Sequence, residues 1–337
     1  MQTLLKTTQA YKLLHAETRA ERSSHAYLLL MEDRRNLREA CKTFAKLFFG
    51  CDMQESGGYQ SYSLAADKQR ISKLIDEESF TDCLFFPEKD KKIVVDDAEK
   101  ICEECTLSAV EGNRKVFVLC DFAEANAATQ NKLLKLLEEP PKEVIFLLGA
   151  TSAYPLLPTV LSRAKKLEIL PFDAEQTSAC LSRLYGDKFD KKTLQLCAVA
   201  AGGVVGTAQD MLEGDRYTAL LDGAFALSTC PTNKLPATVK QYGESKNPKE
   251  LLSFLHILFR DGLLLKTQGE RAKFQLLLQH EYARVNALAS KYSVAALLYA
   301  QEAISQAEKE VAFNAVFSQC IEVCMAKIRR KNEQTQV

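Results

Sequence analysis

The 337-residue sequence lacks the features that define several large classes of protein. No apolar run approaches the roughly 20 residues that cross a membrane as a helix, so we expect no membrane segment and no membrane partner. Residues 1–15 show no cleavable signal pattern, which favours a cytoplasmic protein. The chain also has no excess of positive charge, because 44 lysines and arginines balance 44 aspartates and glutamates. This balance excludes a polycation that wraps nucleic acid by bulk charge, although it allows a local basic patch.

Cysteine is plentiful, but no Cys-x-x-Cys pair recurs at the spacing of a zinc finger. The count of eleven is odd and no export signal is found, so a disulfide framework is not expected. Cys102 and Cys105 could form a redox or metal pair, but they fall on the apolar stripe of a predicted helix. Packing as small hydrophobic side chains is therefore the favoured interpretation for these and the other thiols.

Short apolar runs alternate with helical patterns over residues 1–170 and predict an α/β domain. The runs are predicted strands, at residues 26–30, 83–86, 116–120, 144–148 and 167–170. Asp96, with Glu99 three residues later, predicts the start of one helix, and Pro140 stops another that spans about 127–139. Continuous apolar strands separated by helices favour a mostly parallel sheet between two helical layers.

Leucine and alanine dominate after residue 171, where an all-α region is expected. We predict a small helical domain over 171–228 and a larger one over 229–337, with the boundary near Cys230. The glycines of the segment 202–206 predict a turn between two helices. The basic run 327–331 predicts a solvated helix end, with contact to DNA phosphates as the alternative.

Two unusual motifs lie in order along the first half of the chain. Residues 132–141 read KLLKLLEEPP, and residues 157–164 read LPTVLSRA after the fourth predicted strand. Together with residues 25–28, they resemble the bacterial sliding-clamp loader ATPases of the AAA+ class over about residues 23–170. The resemblance implies an AAA+ P-loop-NTPase-like domain, followed by an all-α lid and an all-α collar through which subunits assemble.

The phosphate-binding loop of that family is missing. In its motor subunits the first strand leads into G-x-x-x-x-G-K-[ST], whose glycines let backbone N–H groups approach phosphates. The corresponding segment here, Met31–Arg38, has no glycine, and the first glycine of the chain is Gly50. Glu32 and Asp33 would also repel a triphosphate. We expect a degenerate P-loop that binds no nucleotide cofactor.

The family's magnesium-binding Asp-Glu pair is also altered. Cys120 and Asp121 follow the third predicted strand at this position. A thiol is a poor magnesium ligand because hard cations prefer oxygen. Asp121 alone is better explained as a helix-capping or solvated residue. The segment 202–208, where the family's phosphate-sensing helix begins, contains no arginine, in agreement with an inactive nucleotide site.

The family's zinc module is reduced to one thiol. Cys51 remains, but the other aligned positions hold Ala66, Gln69 and Ser72. One thiol cannot build a tetrahedral zinc site, so no metal is expected.

Arg163 is the one candidate functional residue that this sequence keeps, although it departs from the family at the P-loop, the Asp-Glu pair and the zinc module. In the family, the arginine of an S-R-C motif points into the ATP site of the neighbouring subunit. Ser162 and Arg163 keep that pair, while Ala164 replaces the cysteine. Such arginine fingers are worth roughly 10³–10⁵ in rate. The resemblance implies a trans-acting finger, and the alternative is a surface arginine at a helix end.

The resemblance, taken with these departures, implies an inactive, non-hydrolysing stator of the DNA polymerase III clamp loader, a subunit of a polymerase holoenzyme without a catalytic site of its own. The implied partners are the motor ATPase subunits and the clamp-opening subunit. The assembly would connect it to the sliding clamp and primed DNA. Two alternatives stay open: a divergent loader ATPase with its own turnover, and a scaffold with no role at an ATP site.

Overall fold

The computed structural model describes residues 1–51, 61–242 and 248–335, which form two compact units, Met1–Pro171 and Phe172–Val337. The strands of the first unit are β1 (Ala26–Met31), β2 (Cys83–Phe86), β3 (Lys115–Leu119), β4 (Val144–Ala150) and β5 (Lys165–Ile169). Its helices are α1 (Gln2–Leu5), α2 (Gln9–Arg19), α3 (Arg34–Phe48), α4 (Ser61–Asp76), α5 (Val95–Glu104), α6 (Ala127–Glu138) and α7 (Pro158–Leu161).

All described strands of the first unit belong to one parallel sheet in the order β2-β3-β4-β1-β5. In β1, which lies between β4 and β5, Tyr27 pairs with Leu147 of β4 on one side and with Lys165 of β5 on the other. Because every strand runs in the same direction, their carboxyl ends share one edge of the sheet and their amino ends the opposite edge. We call these the carboxyl edge and the amino edge.

Helices cover both faces of this sheet. Leu28 and Phe146 point into a core that includes buried residues of α5 and α6. Tyr27, on the opposite face, lies against Phe48 of α3 with their rings 5.6 Å apart. The close packing of α3 is also seen at Gly149, where an added Cβ would lie 2.5 Å from the Cys41 thiol. The predicted three-layer α/β fold is confirmed.

The helix boundaries follow the sequence signals in one case and depart from them in another. Helix α6 ends at Glu138, two residues before Pro140, as predicted. The prediction for α5 was wrong, since this helix begins at Val95 and not after Asp96. The Asp97 carboxylate accepts a hydrogen bond of 3.0 Å from the Val94 N–H and thereby fixes the earlier start.

The described residues of the second unit form helices and turns only, so the predicted all-α region is confirmed. Its α-helices are α8 (Ala174–Tyr185), α9 (Lys191–Ala200), α10 (Val205–Leu212), α11 (Arg216–Thr229), α12 (Leu235–Tyr242), α13 (Pro248–Gln268), α14 (Tyr282–Lys291), α15 (Val294–Ala312) and α16 (Phe317–Thr335). Short 3₁₀ turns occupy Gly186–Lys188, Thr232–Lys234, Gly269–Gln275 and Gln279–Glu281, and in the first unit Phe122–Glu124. The division into a lid over 171–228 and a collar over 229–337 stays a prediction. None of the helices in the described ranges is long and apolar enough to cross a membrane.

Candidate nucleotide edge and arginine motif

The connection from β1 to α3, at the carboxyl edge, is only two residues long. Strand β1 ends at Met31 and α3 starts at Arg34, so Arg34–Arg38 forms the first helical turn and not a loop. Asp33 is 4% exposed and caps the helix: its Oδ1 accepts from the Asn36 N–H at 3.1 Å, and its Oδ2 accepts from the Asn36 side chain at 2.8 Å. A carboxylate thus stands at a helix N-terminus of the kind that binds phosphates in other proteins.

Arg34 connects this helix to the residues that follow β3. Its guanidinium forms ion pairs with Asp121, at 3.0 Å, and with Glu124. Lys92 also pairs with Glu124, at 2.9 Å. Burial raises the pKa of Asp121, an effect that the Arg34 charge opposes, whereas hydrogen bonding to Lys92 lowers the pKa of Glu124. The carboxylate of Asp121 is therefore balanced by a cation of the protein itself.

Cys120 and Asp121 place their side chains in different surroundings. Cys120 is buried, and its thiol is hydrogen bonded to that of Cys41 in α3. That hydrogen bond, together with burial, raises the pKa of Cys41 well above its usual value. Asp121 has a left-handed backbone with φ of 54° and meets Arg34. The aspartate is consequently the only member of this pair that is available at the carboxyl edge.

Arg163 lies just beyond α7, and three oxygen atoms hold its guanidinium. Its Nη1 donates to the Thr159 carbonyl at 2.9 Å and to the Ser162 hydroxyl at 3.0 Å. Its Nη2 forms an ion pair with Glu138, at 2.7 Å. The Ser162 hydroxyl itself donates to the Thr159 carbonyl. About a third of the Arg163 side chain, 32%, is exposed, so the group is oriented and still reachable from outside.

The two candidate sites lie at opposite edges of the sheet. Arg163 precedes Lys165, which pairs with Tyr27 near the start of β1. Arg34 and Asp121 follow the ends of β1 and β3, at the carboxyl edge. A strand rises about 3.3 Å per residue, so the length of β1 separates the two sites by about 20 Å. We call the part of the carboxyl edge formed by Asp33, Arg34 and Asp121 the nucleotide edge. Arg163 and the nucleotide edge of the same chain are not brought together.

No metal centre is formed by the described ranges: no group of three or more histidine, cysteine, aspartate or glutamate side chains could hold an ion there. Residues 52–60, which follow Cys51, lie outside the described residues. Gln69 and Ser72, two of the positions aligned with the zinc module, belong to α4. All cysteines, including Cys102 and Cys105, are free thiols.

Sequence reasoning missed two of the residues that shape these sites. Arg34 was not expected to pair with Asp121, which is 87 positions away, and Glu138 was noted only as part of the EEPP motif. No local pattern signals either contact. Each depends on which helix and strand the fold places side by side.

Comparison with known proteins identifies the family. A family model described as "DNA polymerase III, delta subunit" matches residues 6–173. The delta' subunit of DNA polymerase III from Bacillus subtilis is 28% identical over 173 residues, which cover 51% of this chain and 49% of the relative. The chain belongs to the DNA polymerase III clamp-loader family.

Other relatives of this clamp-loader chain are larger proteins. The tau subunit of DNA polymerase III from Escherichia coli is 31% identical over 112 residues, which cover 32% of this chain and 17% of the relative. The chain thus spans half or less of the length of these curated relatives. Among solved structures, a gamma subunit-related protein from Thermotoga maritima superimposes with a TM-score of 0.42 and 16% identity, over 95% of this chain and 99% of the other.

Proposed function

We propose that this chain is a delta'-like stator of the DNA polymerase III clamp loader, which hydrolyses no ATP itself and supplies Arg163 to the ATP site of a neighbouring motor subunit. Its role would be to help the assembly open the sliding clamp and place it on primed DNA. The clamp-opening delta subunit would be a further partner within the assembly.

The first part of the proposal, the inactive nucleotide edge, is supported by the β1–α3 connection. A phosphate-binding loop needs several residues, glycines among them, between the strand and the helix. Only Glu32 and Asp33 lie between β1 and α3. The Asp33 carboxylate caps the helix where a phosphate would sit. Arg34 neutralises Asp121, the remaining candidate magnesium ligand. These residues do not fit a bound magnesium–ATP complex.

The second part rests on one observation: Arg163 lies at the amino edge of the sheet, about 20 Å from the nucleotide edge of its own chain. An arginine side chain cannot span that distance, so any ATP that Arg163 contacts must belong to another subunit. Its partial exposure and the three oxygen atoms that orient it suit this role. The Glu138 pair is half-exposed, and pairs of this kind are worth at most about 1 kcal/mol, so phosphate can displace the carboxylate.

The deciding experiment is the clamp- and DNA-stimulated ATPase rate of the reconstituted loader with Arg163→Ala. We expect a loader that assembles normally but loses at least the contribution of one ATP site. Arg70→Ala is the matched control, because Arg70 is a half-exposed arginine that also pairs with a glutamate, Glu111. Its rate should equal that of the unaltered protein.

Two other results would favour the alternatives. An unchanged rate with Arg163→Ala in an intact assembly would leave only a scaffold role. ATP turnover by the purified chain alone would identify a divergent ATPase with a site of its own.

A further inference from the structure

Three side chains cap the end of helix α11 in the second unit. The carbonyl oxygens of residues 227–229 accept hydrogen bonds from Arg329 Nη2 at 2.9 Å, from the Tyr292 hydroxyl at 2.7 Å and from Lys291 Nζ at 2.8 Å. Last-turn carbonyls have no partner within their own helix, and cations there also oppose the negative end of the helix dipole. This capping uses only part of the hydrogen-bond donors of the Arg329 guanidinium.

The rest of the Arg329 guanidinium lacks an acceptor. Only 7% of the residue is exposed, and neither Nε nor Nη1 has a hydrogen-bond acceptor among the described residues. The neighbouring Tyr292 hydroxyl is uncharged, and no carboxylate of the described residues pairs with Arg329. The basic run 327–331 was predicted to be a solvated helix end, and this is wrong for Arg329, although Lys327 and Arg330 are exposed. A buried guanidinium without an anion is costly, which points to an anionic partner.

Cys230 is the group placed to become that partner. Its Sγ lies 3.0 Å from Arg329 Nη2, at the junction of α11 and the following turn. The residue is half-buried, and the next four residues, 231–234, are exposed. Cys230 is therefore partly exposed, while the Arg329 guanidinium beside it stays covered.

We propose that Cys230 is an oxidation site for small hydroperoxides and that Arg329 binds the oxygen of the oxidised sulfur. The Cys230 sulfur attacks one peroxide oxygen, an S–O bond forms and the O–O bond breaks. The sulfur loses two electrons, and the leaving oxygen takes the thiol proton to give an alcohol, or water from hydrogen peroxide. The product is a sulfenic acid, whose ionised form is an anion.

The geometry favours this product over the unmodified thiol. Nη1 lies on the same planar guanidinium as Nη2, which already contacts Sγ. An oxygen atom added to Sγ on that side comes within reach of a buried donor that has no acceptor. A charge-assisted hydrogen bond of this kind is about twice as strong as a neutral one. Oxidation would thus satisfy a group that the reduced protein leaves unsatisfied.

The chain contains its own comparison in Cys102. This thiol is also half-buried, but burial raises its pKa, and among the described residues no guanidinium contacts it. The thiols of Cys41, Cys83, Cys105, Cys120, Cys180, Cys197, Cys320 and Cys324 are buried. Reactivity follows access and cationic surroundings, so Cys230 should exceed Cys102.

The test is treatment of the purified full chain with hydrogen peroxide in the presence of dimedone, followed by peptide mass spectrometry. We expect the dimedone adduct to accumulate at Cys230 at least about tenfold faster than at Cys102. Arg329→Gln should remove this advantage, and Arg330→Gln, which removes an exposed arginine next to it, should leave the advantage unchanged.

Equal or slower labelling of Cys230 relative to Cys102 in the unaltered protein would overturn the proposal and leave Arg329 as a helix cap alone. This comparison needs no variant, so it decides the question even if Arg329→Gln fails to fold. A Cys230 advantage that persists in a folded Arg329→Gln protein would equally remove the role of the guanidinium. The measurement requires no clamp-loader partner and does not depend on the proposed stator function.

Discussion

Arg163 and Glu138 form a 2.7 Å ion pair between the second residue after α7 and the last residue of α6. The Glu138 carboxylate neutralises the positive charge with which Arg163, as an arginine finger, would stabilise a phosphate. The same carboxylate would repel that phosphate. The pair therefore orients Arg163 in the isolated subunit and weakens its attraction for an anion.

Glu138→Gln should raise the ATPase rate of the reconstituted loader at subsaturating ATP by about two- to fivefold, because a half-exposed pair is worth up to about 1 kcal/mol. Glu139→Gln alters the next glutamate and serves as the control, with no change expected. A lower rate with Glu138→Gln would mean that the carboxylate is needed to position the finger and does not restrain it.

The purified chain should not bind magnesium–ATP. Asp33 caps the helix where phosphates would sit, and Arg34 pairs with Asp121. We expect no saturable binding of a fluorescent ATP analogue up to about 1 mM, measured by polarisation beside a motor subunit as the positive control. Saturation in the micromolar range would contradict the inactive nucleotide edge.

The stability of the first unit should depend on pH through Glu78. Burial alone would raise the pKa of Glu78, but hydrogen bonds from Arg38 and Lys42 lower its pKa from 4.5 to about 2. A carboxylate with a lowered folded-state pKa stabilises the protein above its unfolded-state pKa and loses that effect as it is protonated. The contribution, about 2–3 kcal/mol after allowance for screening, should be complete above pH 4.5 and fade as the pH falls towards 2.

Urea denaturation of Glu78→Gln across this pH range provides the measurement. The variant should be less stable than the unaltered protein at pH 7, and the difference should shrink on acidification. Glu77→Gln is the control, since its side chain is 55% exposed and lies 3.8 Å from Lys73. An equal effect of the two substitutions would show that the partly buried Glu78 ion pairs contribute nothing specific.

Two adjacent glycines of the α9–α10 turn should respond differently to alanine. Gly203 has φ of 85°, and an added Cβ would lie 1.8 Å from the Phe172 carbonyl oxygen. Gly202 has φ of 58°, and nothing lies within 4 Å of a Cβ added there.

Gly202→Ala should therefore lower the free energy of unfolding only by the left-handed backbone strain, about 1–2 kcal/mol. Gly203→Ala should cost more than about 3 kcal/mol in a denaturation experiment, because the backbone itself must move. Equal losses would show that the contact with Phe172 relaxes freely.

Local patterns predicted most of the backbone. The apolar runs located each strand of the described residues, and most clearly β1, β3 and β4, because a buried parallel strand is apolar on both faces. Pro140 and the 202–203 glycines marked a helix end and a turn, because each restricts or frees the backbone at its own position. The start of α5 was missed because Asp97, and not Glu99, takes the N3 position whose carboxylate accepts from the N-cap N–H, which places the N-cap at Val94 instead of Asp96.

The sequence by itself determined the class of fold, the absence of glycine after β1 and the Ser162–Arg163 pair, because these are properties of residue identity and short-range order. Tertiary structure alone decided that Arg34 meets Asp121, that Arg163 lies at the edge opposite to them, and that Arg329 is buried beside Cys230. Ion pairs and burial depend on which segments the strand order and helix packing bring together. The local sequence gives no signal that two residues 87 or 99 positions apart are in contact.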